Sequence, residues 1–116
     1  MRQMIFAGLL CALTAVSAAS AAEHMHGTKN AHSPADKAFE KAMSKMHEGM
    51  MINYSGNADV DFVKGMIPHH QGAIDMAKVE LRYGKDPEMR KLARGIISAQ
   101  EKEIAGMKAW LKKHGK

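Results

Sequence analysis

Two prolines divide the chain more firmly than any other feature. Pro34 follows Ser33 and Pro87 follows Asp86, so a side-chain acceptor twice stands before a residue suited to the first turn of a helix. Helices are expected to begin at both places. No run alternates apolar and polar residues, so strands are not expected. Asn53 to Asn57, with Ser55 and Gly56, reads as a turn. The predicted elements are a first helix from Pro34 to about Ile52, a second capped by Asp59 and running to Tyr83, and a third from Pro87 through Lys113. Gly84 is expected at the C′ position of the second helix. Val63, Ile67, His70, Ile74, Ala77 and Leu81 share one face of the second helix; Ala93, Ile97, Gln100, Ile104, Met107 and Leu111 share one face of the third. Short turns make neighbours antiparallel. The expected fold is all-α, an antiparallel up-down helical bundle of three main helices.

The N-terminal stretch belongs to export rather than to that bundle. Arg2 precedes an uncharged run from Met4 to Val16, and Ala19-Ser20-Ala21 and Ser20-Ala21-Ala22 are small-x-small cleavage sites. Residues 1–22 therefore read as a secretory signal peptide, too short for a stable membrane anchor. Residues 23–33 form a flexible leader carrying His24, His26 and His32, and residues 34–114 the helical domain. Cys11, the sole cysteine, falls in the signal, so the mature chain has neither disulfide nor thiolate and holds together by packing. The expected location is periplasmic or secreted.

Composition narrows the chemistry. The formal charge is +5, but lysines and arginines are mixed with acids along the helices, with no basic cluster or aromatic platform for nucleic acid. Nucleophile elbow, phosphate loop and paired-carboxylate signals are absent, so the chain is not read as an enzyme. Paired Glu-x-x-His motifs for di-iron and a His-Glu-x-x-His helix for zinc are missing as well. Methionine is the outlier: the chain has 11, together with 7 histidines. Without cysteine, thioether and imidazole are the side chains that copper prefers.

Those residues gather around one level. Folding the second and third helices back near Lys85 sets His70 against Gln100, Met66 and Ile67 against Glu103, and Val63 against Met107. Folding the first helix back near Ser55 and Gly56 brings Met43 level with Ile67 and His47 level with Lys64. Met43, Met46, His47 and Met50 share a face at i, i+3, i+4 and i+7. Pro68 stands at the same level and is expected to bend the second helix. Gly65 and Gly72 flank it, each costing about 1 kcal/mol relative to alanine, either to allow close packing or to widen the bundle. Buried imidazoles need partners, and Met66, Met76, Gln100 and Glu103 are available to His69 and His70. Gln100 and Glu103 are expected to orient the imidazoles rather than to bind metal. A methionine at helical spacing also serves as a gap-filling core residue. His69-His70 joined to Met43-x-x-Met46-His47-x-x-Met50 points to copper or silver.

Met66-Ile67-Pro68-His69-His70-Gln71-Gly72-Ala73-Ile74-Asp75-Met76-Ala77, followed by Gly84-Lys85-Asp86-Pro87 and the tail from Gln100 to Leu111, resembles the family catalogued as domain of unknown function 305. The match runs nearly continuously from Asp59 to Leu111. It implies a ferritin-like helical bundle in exported bacterial proteins, including CopM-like periplasmic copper-binding proteins. It also implies copper sites of Met and His, mapping onto Met43, Met46, His47, Met50, Met66, His69, His70, Met76 and Met107.

The reading is a periplasmic protein that sequesters or transfers copper in homeostasis or resistance. Cu(I) suits its Met/His sites. Cu(II) suits the histidines, including His24 and His26 in the leader. Two alternatives stand beside it: a metal-free helical interaction module with a Met-rich core, and a silver or broad soft-metal buffer. Copper ions and other periplasmic copper-handling proteins are the expected partners, with the protein itself a monomer or homodimer.

Overall fold

The protein, as a computed structural model, is described over residues 32–115. It is all-helical there: α1 spans Pro34–Met50, α2 Ala58–Tyr83 and α3 Pro87–His114, with no strand among the described residues. The two cap-plus-proline signals act as expected. Ser33 Oγ accepts from the Asp36 amide at 3.1 Å, while the Asp36 carboxylate accepts from the Ser33 amide at 2.8 Å, a reciprocal capping box. Asp86 Oδ1 accepts from the Glu88 and Met89 amides, both at 2.9 Å.

Three boundaries differ from expectation. Asn57, not Asp59, caps α2, because its Oδ1 reaches the amides of Asp59 and Val60 at 3.0 and 3.2 Å. The first helix ends at Met50 rather than Ile52. Ser55 beyond it donates its amide and hydroxyl to Asp61 Oδ1 at 2.9 and 2.8 Å, and Gly56 takes φ of 85°. Gly84 follows α2, but with φ of −72° it is extended instead of left-handed. Arg90 Nη1 donates to the carbonyls of Leu81 and Gly84 at 2.7 and 3.0 Å, meeting at Leu81 an acceptor that the end of the helix leaves open.

α2 is the middle layer element. It packs against both α1 and α3, whereas no Cα of α1 comes within 8 Å of one in α3. The helices thus pack along two seams, α1–α2 and α2–α3. On the α1 seam, a Cβ on Gly49 would lie 2.7 Å from Pro68 Cβ, and one on Gly72 would lie 2.5 Å from Met46 Sδ. Lys45 Nζ donates to Asp75 Oδ2 at 3.0 Å. Residue numbers in these pairs sum to between 117 and 120, so His47 lies level with about residues 70–73, not with Lys64. The expected register was about two turns off because α1 stops early and seven residues, Met51 to Asn57, link it to α2. Met43 correspondingly lies level with about Met76 rather than Ile67. α2 continues as one helix through Pro68, whose ring occupies the space left by Gly49.

The layer has two chemically distinct faces. Lys41, Lys45, Gln71, Asp75 and Lys78 line one side of the α1–α2 seam. Lys64, Gln71 and Lys78 form a seven-residue row on that side of α2, and Phe62, His69 and Met76 form the row across the helix. Met43 and Met50 likewise lie across α1 from Lys41 and Glu48. The α2–α3 groove opens on the methionine side, lined at one end by Met76, Met89 and Leu92 and at the other by Phe62, Met107 and Trp110. Between the faces sits a small core that includes Ala42, Val63, Ile74, Ala77, Ala93 and Ile104.

Burial raises the Asp75 carboxyl, but hydrogen bonds from Gln71 and Lys45 and the charges of Lys45 and Lys78 outweigh it and hold it below the usual range. A carboxyl whose folded pKa is lowered adds stability above its unfolded pKa, about 4, and loses that increment as pH falls through the folded value. Asp75→Asn should cost up to about 1 kcal/mol near neutral pH, given that Lys45 is largely exposed. Urea unfolding should show the variant and parent converging below about pH 4. The glycines make a second set. Gly49→Ala and Gly72→Ala should lower the melting temperature, since overpacking of about 1–3 kcal/mol exceeds the helix-propensity gain of about 1 kcal/mol. Gly65, with nothing within 4 Å of an added Cβ, should gain stability on the same change.

Candidate metal centre

On the α2–α3 seam, His70 meets α3 through Nε2, 2.5 Å from Glu103 Oε2. Its expected partner was Gln100, one turn away; the seam pairs residues whose numbers sum to 173 there, and Glu103 is the one within reach. Glu103 is correspondingly drawn to His70 and not to Met66 or Ile67. The His70 side chain is only 15% exposed, and its Nδ1 is buried with no hydrogen-bond partner. In the neutral ring, a proton on Nε2 shared with the carboxylate makes Nδ1 the acceptor nitrogen. This is the second-layer arrangement by which a carboxylate orients a ligating imidazole. Met66 and Met107 stand one turn from His70 and Glu103 respectively, and their numbers also sum to 173. They form the next rung of the same seam. Met107 shares its groove with Val63, as the hairpin register predicts. Gln100 is half-buried and lines a groove on α3 with Leu92 and Ile96.

The α1–α2 seam presents a second group. His47, Met50 and His69 are exposed, while Met43 and Met76 are half-buried. Register and helical period place all five on the methionine face, with His69 between the levels of His47 and Met50. Helices packed side by side lie about 8–10 Å apart, a span that side chains from both can bridge. His69 and His70, adjacent in sequence, have ring centroids 6.1 Å apart and serve different seams. Met46 does not join the group: it points into α2 against Gly72, so its sulfur fills a packing gap. Met76 borders the apolar groove with Met89 and Leu92.

Among the described residues, no three of His, Cys, Asp and Glu gather as a metal-holding cluster. His24 and His26 lie outside the described residues. The sequence reading missed Met89, which the groove brings beside Met76; the signal for it was a position on α3 facing the α2 row.

Residues 9–111 match the family described as Domain of unknown function (DUF305). The chain belongs to that family. A 53-residue segment is 43% identical to the Uncharacterized protein L153 of Acanthamoeba polyphaga mimivirus, covering 46% of this chain and 35% of the viral protein. The DUF305 chain thus spans about a third of that relative's length. No helix among the described residues is long and apolar enough to cross a membrane.

The pairing of His70 with Glu103 in this DUF305 domain has a measurable consequence. Glu103→Ala removes the carboxylate from His70 Nε2, and because Glu103 is 61% exposed the loss should be about 1 kcal/mol or less. His70→Leu together with Glu103→Ala should cost less than the sum of the single changes. A double-mutant cycle by urea unfolding checks this, and additive losses would remove the pairing from the folded protein in solution.

Proposed function

We propose that this protein binds copper after export and sequesters it or hands it to other copper-handling proteins, without catalysing a reaction. On this reading the three helices form an antiparallel up-down bundle of the ferritin-like kind. The oppositely running residue numbers along both seams support that topology. The observation that carries the proposal is the separation of faces: imidazoles and thioethers of α1 and α2 share one side at matching levels, and the lysines of that seam take the other. A cationic metal meets no nearby ammonium on the methionine side, and two soft sulfurs, Met43 and Met50, flank His47 and His69. Thioether favours Cu(I), whereas imidazole accepts either oxidation state. The buried, unpartnered Nδ1 of His70, with Met66 and Met107 at the adjoining level, supports a second ligand group. His24 and His26 of the leader extend the set toward Cu(II).

A metal-free interaction module is the second reading, and it draws support from Met46 and Met76, whose surroundings account for them as packing residues. Silver shares the ligand preferences of Cu(I) and belongs in the same titration.

Titration with Cu(I) against a competing chelator should show tight binding that weakens at least tenfold, about 1.4 kcal/mol, when His69 and His70 are both replaced by non-ligating residues. Met43→Leu with Met50→Leu should lower Cu(I) affinity more than Cu(II) affinity. Met46→Leu should leave both affinities unchanged and alter stability by less than about 1.5 kcal/mol. Binding that survives the double histidine replacement, in protein with an unaltered helical spectrum, would exclude these histidines as ligands.

A further inference from the structure

The methionine face is built as one half of an interface, and we infer that a second copy of this chain covers it. A domain normally buries its apolar stripes between two packed layers. Here α1 and α3 each pack against α2 and have no Cα within 8 Å of each other, so the stripes on one side have no fourth element opposite them among the described residues. Phe62 is 64% exposed and Leu92 54%, and Phe39, Met50 and Met89 are also exposed on that side. The opposite face is lined by lysines and needs no cover.

Size favours a second copy over a smaller occupant. α2 has 26 residues, about 39 Å at 1.5 Å per residue. Three helices spaced about 8–10 Å apart then present roughly 800 Å², what each partner of a standard stable interface contributes. A layer of equal length and width is what a second copy supplies. The α2 row Phe62, His69 and Met76 carries no lysine or arginine, and on α3 Lys91 lines the groove beside the acid Glu88. The acids of this face are spread along it, Glu80 and Glu88 toward one end, Asp59 at the other and Glu103 against His70 between them. A twofold axis across the helices at mid-length sets the Met76 and Leu92 end of one copy against the Phe62 and Trp110 end of the other.

The same axis passes near His69, close to the middle of α2, and His47 lies at about that level. It therefore gathers His47, Met50 and His69 of one copy beside the same residues of the other. Resting on the copper-binding reading, this makes the exposed ligand group a half-site that the second copy completes. Metal binding and association are then linked: an ion held by both copies tightens the dimer.

Sedimentation equilibrium of the exported chain tests the two parts separately. In a metal chelator at tens of micromolar, the expected mass is that of a dimer. Phe62→Glu with Leu92→Glu, both at exposed positions where folding is preserved, should weaken association about a hundredfold. Lys78→Glu on the other face should leave it unchanged, and so should deletion of the segment before Ser33. Cu(I) should tighten the dimer at least tenfold. A monomer both in chelator and with Cu(I) overturns the proposal. So does a dimer indifferent to the Phe62 and Leu92 changes, or one that forms only after the leader is removed, which would make the leader the occupant. Copper that binds without moving the dimer constant overturns the shared half-site. Failure of copper to bind at all overturns the copper reading but leaves the chelated dimer as measured.

Discussion

Everything in this molecule depends on how closely α1 approaches α2. Two glycines make that approach possible from opposite sides: Gly49 on α1 leaves room for the Pro68 ring, and Gly72 on α2 leaves room for the Met46 side chain. A proline inside a helix costs about 3 kcal/mol where nothing compensates, and a helical glycine about 1 kcal/mol. Here the costly residues of one helix meet the small residues of the other. The contact also sets the register. Sliding α1 by one turn would put a side chain larger than hydrogen against Pro68 or Met46. That register decides the level of His47 and Met50 on the neighbouring face, so the placement of candidate ligands follows from backbone proximity and not from any ligand–ligand contact.

Chemically similar residues consequently do different work. Met46 and Met50 are one helical turn apart, yet one is a packing residue held against Gly72 and the other is exposed beside His47. His69 and His70 are adjacent, yet a shift of about 100° around α2 sends one to the open face and the other to a carboxylate on α3. A Met- and His-rich composition cannot by itself be counted as a ligand set. Position relative to the two seams decides which sulfur or nitrogen is free.

Much of this architecture was legible from the residues alone. Ser33-Pro34 and Asp86-Pro87 mark two helix starts because capping is local, carried by side chains within three residues of the groups they satisfy. The α2–α3 hairpin was legible to within one turn, since only three residues separate those helices, and Val63 does share a groove with Met107. The single error there, Gln100 for Glu103, is the size of that one turn. The α1–α2 register was not legible. A seven-residue connection leaves the returning helix free to slide, and only the Gly49–Pro68 and Gly72–Met46 fits pin it. The open layer was hidden for a different reason: helical period states which residues share a face but not whether a third helix closes over it. His24 and His26, assigned to the leader, lie outside the described residues.

The face that the layer leaves open carries two demands that pull against each other. Ligands for a soft cation must be reachable, and reachable thioethers and phenylalanines are the surface that water disfavours. Mixing lysines into the same rows would ease solubility, but an ammonium close to His47 or His69 would oppose any bound cation. The α1–α2 seam instead carries its lysines on the other side of α2, where Lys45 and Lys78 flank Asp75 and hold its carboxylate ionised. Solubility is thereby supplied by one face, leaving the other free for soft and apolar groups. The segregation has a structural cost as well: with few residues in the core between the faces, helix-end capping and the α1–α2 fit must carry a large share of the stability. Gly49, Gly72, Ser33 and Asp86 are therefore as much a part of the candidate site as the histidines, because a slipped or frayed α1 would move His47 and Met50 away from His69.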